Sequence, residues 1–316
     1  MLWCALRLSD PSQPRESPGP GPAQDGVQDG AQAVATWALQ FTPRVARLDE
    51  AVLMEVQASL RLFGGAVELD ARVRAEGAAL GVVTLAWAPT ALGALALARA
   101  ASCEDDSAEV GVMDAAPLPE RLDPLPLAVL TATAPHADTL AQLGCRTLGD
   151  LRALPRGGLT RRFGPALVDA LDQAYGLRNT LLTWVTVPET FCARLDLMAR
   201  VETAMALLFA ARRLLLQLQG WLVARNAGVT AFTLRWQHDS LHPGPGEEGD
   251  ALLIRTAEPM RDMAHLSRLL AEHLARVQLD APVETLSLEV DTVCDYRPPT
   301  ASLLPDAAEE RAALTQ

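Results

Sequence analysis

Phe191-Cys-Ala-Arg-Leu-Asp-Leu-Met198 alternates apolar and polar side chains, the pattern of a strand with one buried face. Working C-terminally, residues 202–225 repeat apolar positions at helical spacing, and 228–236 read as a strand. A loop rich in Pro and Gly follows at 239–250, then a strand at 252–256, a helix at 259–277 and a strand at 283–290. The order β-α-β-β-α-β closes naturally as a four-stranded sheet with two helices on one face. After Tyr296-Arg-Pro-Pro299 the chain turns into a polar, acidic tail over 296–316.

Upstream, residues 126–180 change character to short helices broken by Gly and Pro. Leucines fall three and four apart around Thr139-Leu-Ala-Gln-Leu-Gly-Cys-Arg-Thr147, with Gly144 as a stop and Thr147 as a cap for the next helix. Pro165 suits a first helical turn. Earlier still, residues 33–125 alternate helices and strands: a helix at 33–40, a strand at 51–56 and a helical turn at 59–65 stopped by glycine. A helix at 67–80, a strand at 81–88, a helix at 90–101 and a short strand at 109–113 complete a mixed α/β unit. A first strand occupies 1–9, and residues 10–32, packed with Pro, Gly, Gln and Asp, read as a mobile linker. The uncharged run 77–98 is long enough to span a bilayer, but its strand–Pro89–helix pattern marks it as buried core. The whole reads as an α+β chain.

Composition bounds the function. With 49% hydrophobic and 21% charged residues in 316, the chain has material for several buried cores. All 27 basic residues are Arg, against 39 acids, for a net charge of −12; a uniformly basic nucleic-acid binder is excluded. Residues 141–240 nevertheless hold 12 Arg against 7 acids. Arg146, Arg152, Arg156, Arg161 and Arg162 lie in the helical part, and Arg194, Arg212, Arg213, Arg225 and Arg235 follow. These are either ordinary solvated side chains or a phosphate-contacting stripe across two domains. Aromatic residues at 4% argue against a base-stacking platform, and Trp184, Trp221 and Trp236 read as packing residues. Five scattered cysteines without metal-ligand spacing or an export leader suggest a cytoplasmic protein. His238 and His242 flank the Pro-rich loop and read as solvated rather than as zinc ligands; His265 and Arg268 read as an exposed helix face.

The order of these segments resembles the Y-family (UmuC-like) translesion DNA polymerases, and more narrowly the ImuB-type branch, regarded as catalytically inactive. Phe41-Thr-Pro-Arg-Val, Asp49-Glu-Ala-Val-Leu-Met-Glu-Val and Ser59-Leu-Arg-Leu-Phe-Gly-Gly resemble the palm block with the second metal-binding motif. Ala86-Trp-Ala-Pro-Thr-Ala-Leu-Gly-Ala resembles the later palm segment. Residues 140–163 look like the helix-hairpin-helix thumb, and 191–290 like the little finger. The resemblance implies a palm remnant lacking fingers, because only the 10–32 linker stands where the fingers are inserted.

Nucleotide transfer onto a primer needs two metal ions held by acidic side chains from neighbouring strands. In the family the first strand supplies an Asp and the second motif an Asp-Glu pair. Here Leu2-Trp-Cys-Ala-Leu-Arg-Leu8 carries no carboxylate. Asp49 and Glu50 superficially keep the pair, yet an alignment anchored on Leu62-Phe63-Gly64 moves it to Glu50 and Ala51, with Glu55 where the family also tends to have an acid. A one-residue slip exchanges the faces of a strand, so the two alignments make opposite claims. The expectation is a vestigial acidic motif with no metal, no other cofactor and no catalysis.

What the resemblance then implies is a DNA-binding adaptor in damage-induced mutagenic translesion synthesis. DNA contact, independent of sequence, falls to Arg146, Arg152, Arg156, Arg161, Arg162, Arg212, Arg213 and Arg235. The implied protein partners are the sliding clamp, an ImuA-type RecA-like protein and a DnaE-type error-prone polymerase. A clamp-binding peptide would fall on Ser302, Leu303 and Leu304, unless those leucines merely pack the tail. Two alternatives stand beside this: an active polymerase using Asp49 and Glu50 with Mg2+, and a truncated, non-functional fragment.

Overall fold

The computed structural model describes residues 1–8, 23–101, 116–238 and 250–296. The expected strand at 109–113, His242 and the tail motif Ser302, Leu303 and Leu304 lie outside the described residues, as does most of the expected linker.

The first part comprises β1 (Trp3–Leu8), α1 (Ala23–Ala38), β2 (Val45–Leu48), β3 (Ala51–Glu55), α2 (Ala66–Ala79), β4 (Val82–Ala88) and α3 (Ala91–Ala100). Its strands form an antiparallel sheet in the order β2-β3-β1-β4. Both faces are buried, which is why β1 and β3 are almost continuously apolar. Cys4, Leu6, Val52, Met54 and Trp87 pack with Val34, Trp37, Leu69 and Val73 of α1 and α2. Trp3, Ala5, Ala51, Leu53, Ala86 and Ala88 pack with Ala91, Ala94, Leu95 and Ala98 of α3. Alanines on both sides of that second contact let α3 lie close to the sheet. Thr90 caps α3: its hydroxyl oxygen accepts from the Gly93 N–H at 3.1 Å, and the same hydroxyl donates to the Ala174 carbonyl at 2.7 Å.

One expectation fails here. Helix α1 begins at Ala23, inside the stretch read as linker, rather than at 33. Gly26 and Gly30 weaken the local helical signal. Burial of Ala31, Val34, Ala35, Trp37 and Ala38 supplies what propensity lacks. Strand β2 was also missed; it pairs with β3 across the two-residue turn Asp49-Glu50.

The middle part contains α4 (Leu118–Leu122), α5 (Ala137–Gln142), α6 (Leu148–Ala153), α7 (Arg156–Phe163) and α8 (Pro165–Ala174). Thr147 caps α6 in a reciprocal capping box with Asp150, and Pro165 opens α8. Gly144 turns the chain at φ +80°. Leu122, Leu140, Leu148, Leu151, Leu159, Phe163, Leu167 and Leu171 belong to the same apolar cluster as α3 and its sheet face. The helices therefore share one core with the first sheet.

The last part comprises β5 (Cys192–Val201), α9 (Ala204–Ala224), β6 (Ala227–His238), β7 (Asp250–Met260), α10 (Met263–Leu274) and β8 (Val283–Asp295). The expected β-α-β-β-α-β order is present, with strands arranged β5-β8-β6-β7. Each helix crosses between parallel strands with one strand left between them, so two split crossovers interlock. Pro259 lies in β7 rather than opening α10. Leu207, Leu214, Leu218, Phe232, Leu234, Ile254, Leu266, Leu270 and Leu286 form the core between sheet and helices. Helix α9 is long and apolar enough to cross a membrane by length and composition, but most of it is buried within the protein. At Gly220 it crosses α1 so closely that a Cβ would stand 2.2 Å from the Thr36 carbonyl oxygen.

Candidate functional site

Asp49 and Glu50 form the β2–β3 turn, and Asp49 takes φ +51° to make it. Neither lies within a strand, so the question of which face they occupy gives way to what they touch. Both carboxylates converge on Arg99 at the end of α3. Arg99 Nε donates to Glu50 Oε1 at 2.7 Å, and Nη2 donates to Glu50 Oε2 and Asp49 Oδ2, each at 2.8 Å. Nη1 donates to the Val129 carbonyl at 2.8 Å and to Thr131 Oγ1 at 3.0 Å. Thr131 in turn donates to Asp49 Oδ2 at 2.6 Å. All the guanidinium's N–H directions are thereby used.

The electrostatics follow from this geometry. Partial burial opposes the charge on Asp49, but hydrogen bonds from Thr131 and Arg99 outweigh it and hold the carboxyl below its ordinary value. Hydrogen bonds from Arg99 hold Glu50 below its ordinary value as well. Burial would lower the Arg99 pKa, yet its bonds to Glu50 and Asp49 raise it.

A second cation lies nearby. Arg7 of β1 pairs in register with Ala51 and Thr84, and its Nε donates to Thr84 Oγ1 at 3.1 Å. The strand expected to lack a carboxylate thus carries an arginine beside the acidic turn. Glu55 is buried at the other end of β3, where it pairs with Arg44 at 3.1 Å. Asp49, Arg99 and Thr131 also line a cavity of about 270 Å³ whose apolar wall includes Leu48, Leu92, Leu95 and Leu130. Among the described residues no group of three or more His, Cys, Asp or Glu is gathered to hold a metal.

The arginines separate into three groups. Arg152 forks onto Asp123 at 3.0 and 2.5 Å beneath the Tyr175 ring, Arg156 pairs with Asp172, and Arg235 pairs with Glu289 at 3.2 Å. The second group is exposed, and its guanidinium groups make no ion pair among the described residues: Arg146, whose backbone N–H donates to the Asp150 carboxylate at 2.9 Å, Arg161 and Arg162. Arg161 and Arg162 occupy the last turn of α7, where the helix dipole favours cations.

Arg212 and Arg213 form the third group, on α9. That helix covers one side of the last sheet, whereas Arg194, Arg235 and Arg255 alternate onto the other. One continuous stripe is therefore not what the fold presents. Arg213 is half-buried with its Nε unpartnered, and burial pushes its pKa down. The open sheet face is balanced in charge: Arg194 pairs with Asp196, Arg235 with Glu289, and Thr233 donates to Asp291. Arg255 alone of the three arginines has no carboxylate partner there.

Sequence reasoning missed Arg99, Thr131, Arg7 and Arg255. The first two lie fifty and more residues from Asp49 with no spacing signal. Alternation along β7 carried a usable one for Arg255. His238, read as solvated, is buried between the Ala281 carbonyl at 2.9 Å and Asp250 at 3.1 Å. Trp221 and Trp236 are buried as packing residues, and Trp184 stacks on Trp3.

No protein-family model matches the chain. It is similar to "Protein ImuB" of Caulobacter vibrioides in two strains, each 26% identical over 281 residues. The match takes in 88% of this chain and 58% of the relative, so the chain spans a little over half the length of the curated relatives it matches. Among solved structures it is similar to a Dbh ternary complex, at TM-score 0.42 and 13% identity over 92% of this chain and 99% of that one. It is also similar to a DinB-family error-prone DNA polymerase from Sulfolobus solfataricus, at TM-score 0.43 and 13% identity over 92% and 98%.

Proposed function

We propose that this chain, an ImuB-type relative of the Y-family polymerases, is a non-catalytic DNA-binding adaptor in damage-tolerant DNA synthesis. The observation that carries the reading is Arg99. A guanidinium seated on Asp49 and Glu50 places a fixed positive charge where a metal pair would have to sit, and it engages Asp49 Oδ2 and both Glu50 oxygens. Arg7 on β1, in place of a carboxylate, adds to this. Residues 9–22 alone separate β1 from α1, too few to fold a fingers subdomain.

DNA contact in this reading rests on backbone phosphates, with Arg161 and Arg162 as the uncommitted cations of the helical part, Arg146 beside Asp150 as a third, and Arg255 on the last sheet. Residues 140–163 act as the helix-hairpin-helix thumb, and the last sheet with its two helices as the little finger. Synthesis is left to a DnaE-type polymerase, with an ImuA-type RecA-like protein and the sliding clamp as further partners. The motif for the clamp is Ser302, Leu303 and Leu304.

Primer extension tests the reading. With Mg2+ or Mn2+, the purified chain should add no nucleotide above background. Incorporation that disappears in Asp49→Ala with Glu50→Ala would establish the polymerase alternative instead.

A further inference from the structure

Helix α9 carries Met205, Leu208, Phe209, Arg212, Leu216 and Gln219 at i, i+3, i+4, i+7, i+11 and i+14, a single face. The C-terminal half of that face is used: Leu216 joins the apolar cluster of the first sheet, and Gly220 abuts α1. In the N-terminal half Leu208 is partly buried, while its two neighbours on the face stand in the open. Met205 is 73% exposed and Phe209 75% exposed. Next to these two side chains, Leu208, Arg212, Leu216 and Gln219 of the same face line a cleft of about 810 Å³ between α2, α9 and α10. Ala75 and Ala79 from α2 and Ala264 and Ala271 from α10 line it, side chains small enough to admit another backbone.

The polar groups of the cleft are unevenly committed. Glu76 is held by Arg72, Trp37 and Gln40, and Asp262 caps α10 by accepting from the His265 N–H. Arg212 and Arg268 have no carboxylate partner among the described residues; Arg268 reaches only His265 Nδ1, at 3.1 Å. The Gln219 side-chain oxygen is buried in the wall with no donor. The cleft thus presents two uncommitted cations and one acceptor awaiting an N–H, with the exposed apolar pair Met205 and Phe209 beside it on the same helix face.

We propose that this cleft docks an acidic amphipathic helix from a partner protein. Apolar side chains on one face of that helix cover Met205, Leu208 and Phe209, extending the contact that α1 makes with the rest of α9. Its carboxylates meet Arg212 and Arg268, and an N–H donor from the partner answers Gln219. A nucleic-acid strand would satisfy the cations and stack a base on Phe209, but it would leave Met205 and Leu208 without apolar cover.

The test is selection of helical peptides from a displayed library on the full chain, followed by fluorescence anisotropy with the enriched peptides. Enriched sequences should carry an apolar i, i+3, i+4, i+7 face flanked by Asp or Glu. Met205→Ser with Phe209→Ser should weaken their binding at least tenfold. Arg212→Glu with Arg268→Glu should abolish it and restore binding to the same peptides with Lys for Glu. These side chains lie at the surface, and unchanged melting of the variants would confirm intact folding. Enrichment of non-acidic peptides, no enrichment, or indifference to both double variants would overturn the proposal. So would a single-stranded oligonucleotide whose binding is lost in Met205→Ser with Phe209→Ser, since that would make the cleft a nucleic-acid site.

Discussion

At Arg99 one side chain joins three pieces of chain that are remote in sequence: the β2–β3 turn, the end of α3 and the 129–131 segment. Arg99→Gln would leave two partly buried carboxylates without a counter-charge. A fully buried pair broken in this way costs about 3–5 kcal/mol, and partial exposure of Asp49 and Glu50 reduces this to about 2 kcal/mol. The pH dependence has a definite sign. Both carboxyls are held below their unfolded values, so their contribution is full above pH ~5 and is lost as pH falls through the folded pKa values. Chemical denaturation of wild type and Arg99→Gln should therefore differ most near neutrality and converge below pH ~4. A gap that stays constant with pH would mean that Arg99 acts through packing alone.

Among the elements, the α1–α9 crossing is the tightest contact between the first and last parts of the molecule. It exists because Gly220 offers no side chain at the point nearest Thr36 and Trp37. Gly220→Ala raises intrinsic helix propensity by about 1 kcal/mol, which would stabilise an exposed helix. Here the methyl would meet backbone atoms, and overpacking of this kind costs roughly 1–3 kcal/mol. The expected outcome is lower thermal stability, together with increased proteolytic cleavage between the first and last parts. Increased stability would show that the two helices separate readily.

Across the whole molecule, the net charge of −12 and the internal pairing of Arg152, Arg156 and Arg235 leave few cations for phosphate. Binding to primed DNA should accordingly be weak and sequence-independent. If Arg146, Arg161, Arg162 and Arg255 each reach one duplex phosphate, log K should fall with log salt at a slope of roughly −3 to −4. Arg161→Glu with Arg162→Glu should reduce affinity for every sequence alike, and an unchanged affinity would remove α7 from the interface. The tail makes a separate prediction. A peptide spanning 297–306 should bind the sliding clamp weakly, and Leu303→Ala with Leu304→Ala should abolish that binding. Full-chain clamp affinity that survives both replacements would place the contact elsewhere.

Periodicity along the chain determined the β-α-β-β-α-β order of the last part, the capped helices around Thr147 and Pro165, and the burial of 85–88 and of the helix after it, although Val83 in the same strand is exposed. These are local matters, since alternation and helical spacing record which side of an element meets the core. It also showed that no carboxylate stands on β1. The start of α1 was hidden because two glycines mask a helix held by its packing, and β2 was hidden because four residues carry too little pattern. Tertiary structure alone decided that Asp49 and Glu50 face Arg99, that the short helices share a core with the first sheet, and that the arginines divide between opposite sides of the last one. Each of these depends on contacts between residues far apart in the chain, and such contacts leave no spacing for a single sequence to display.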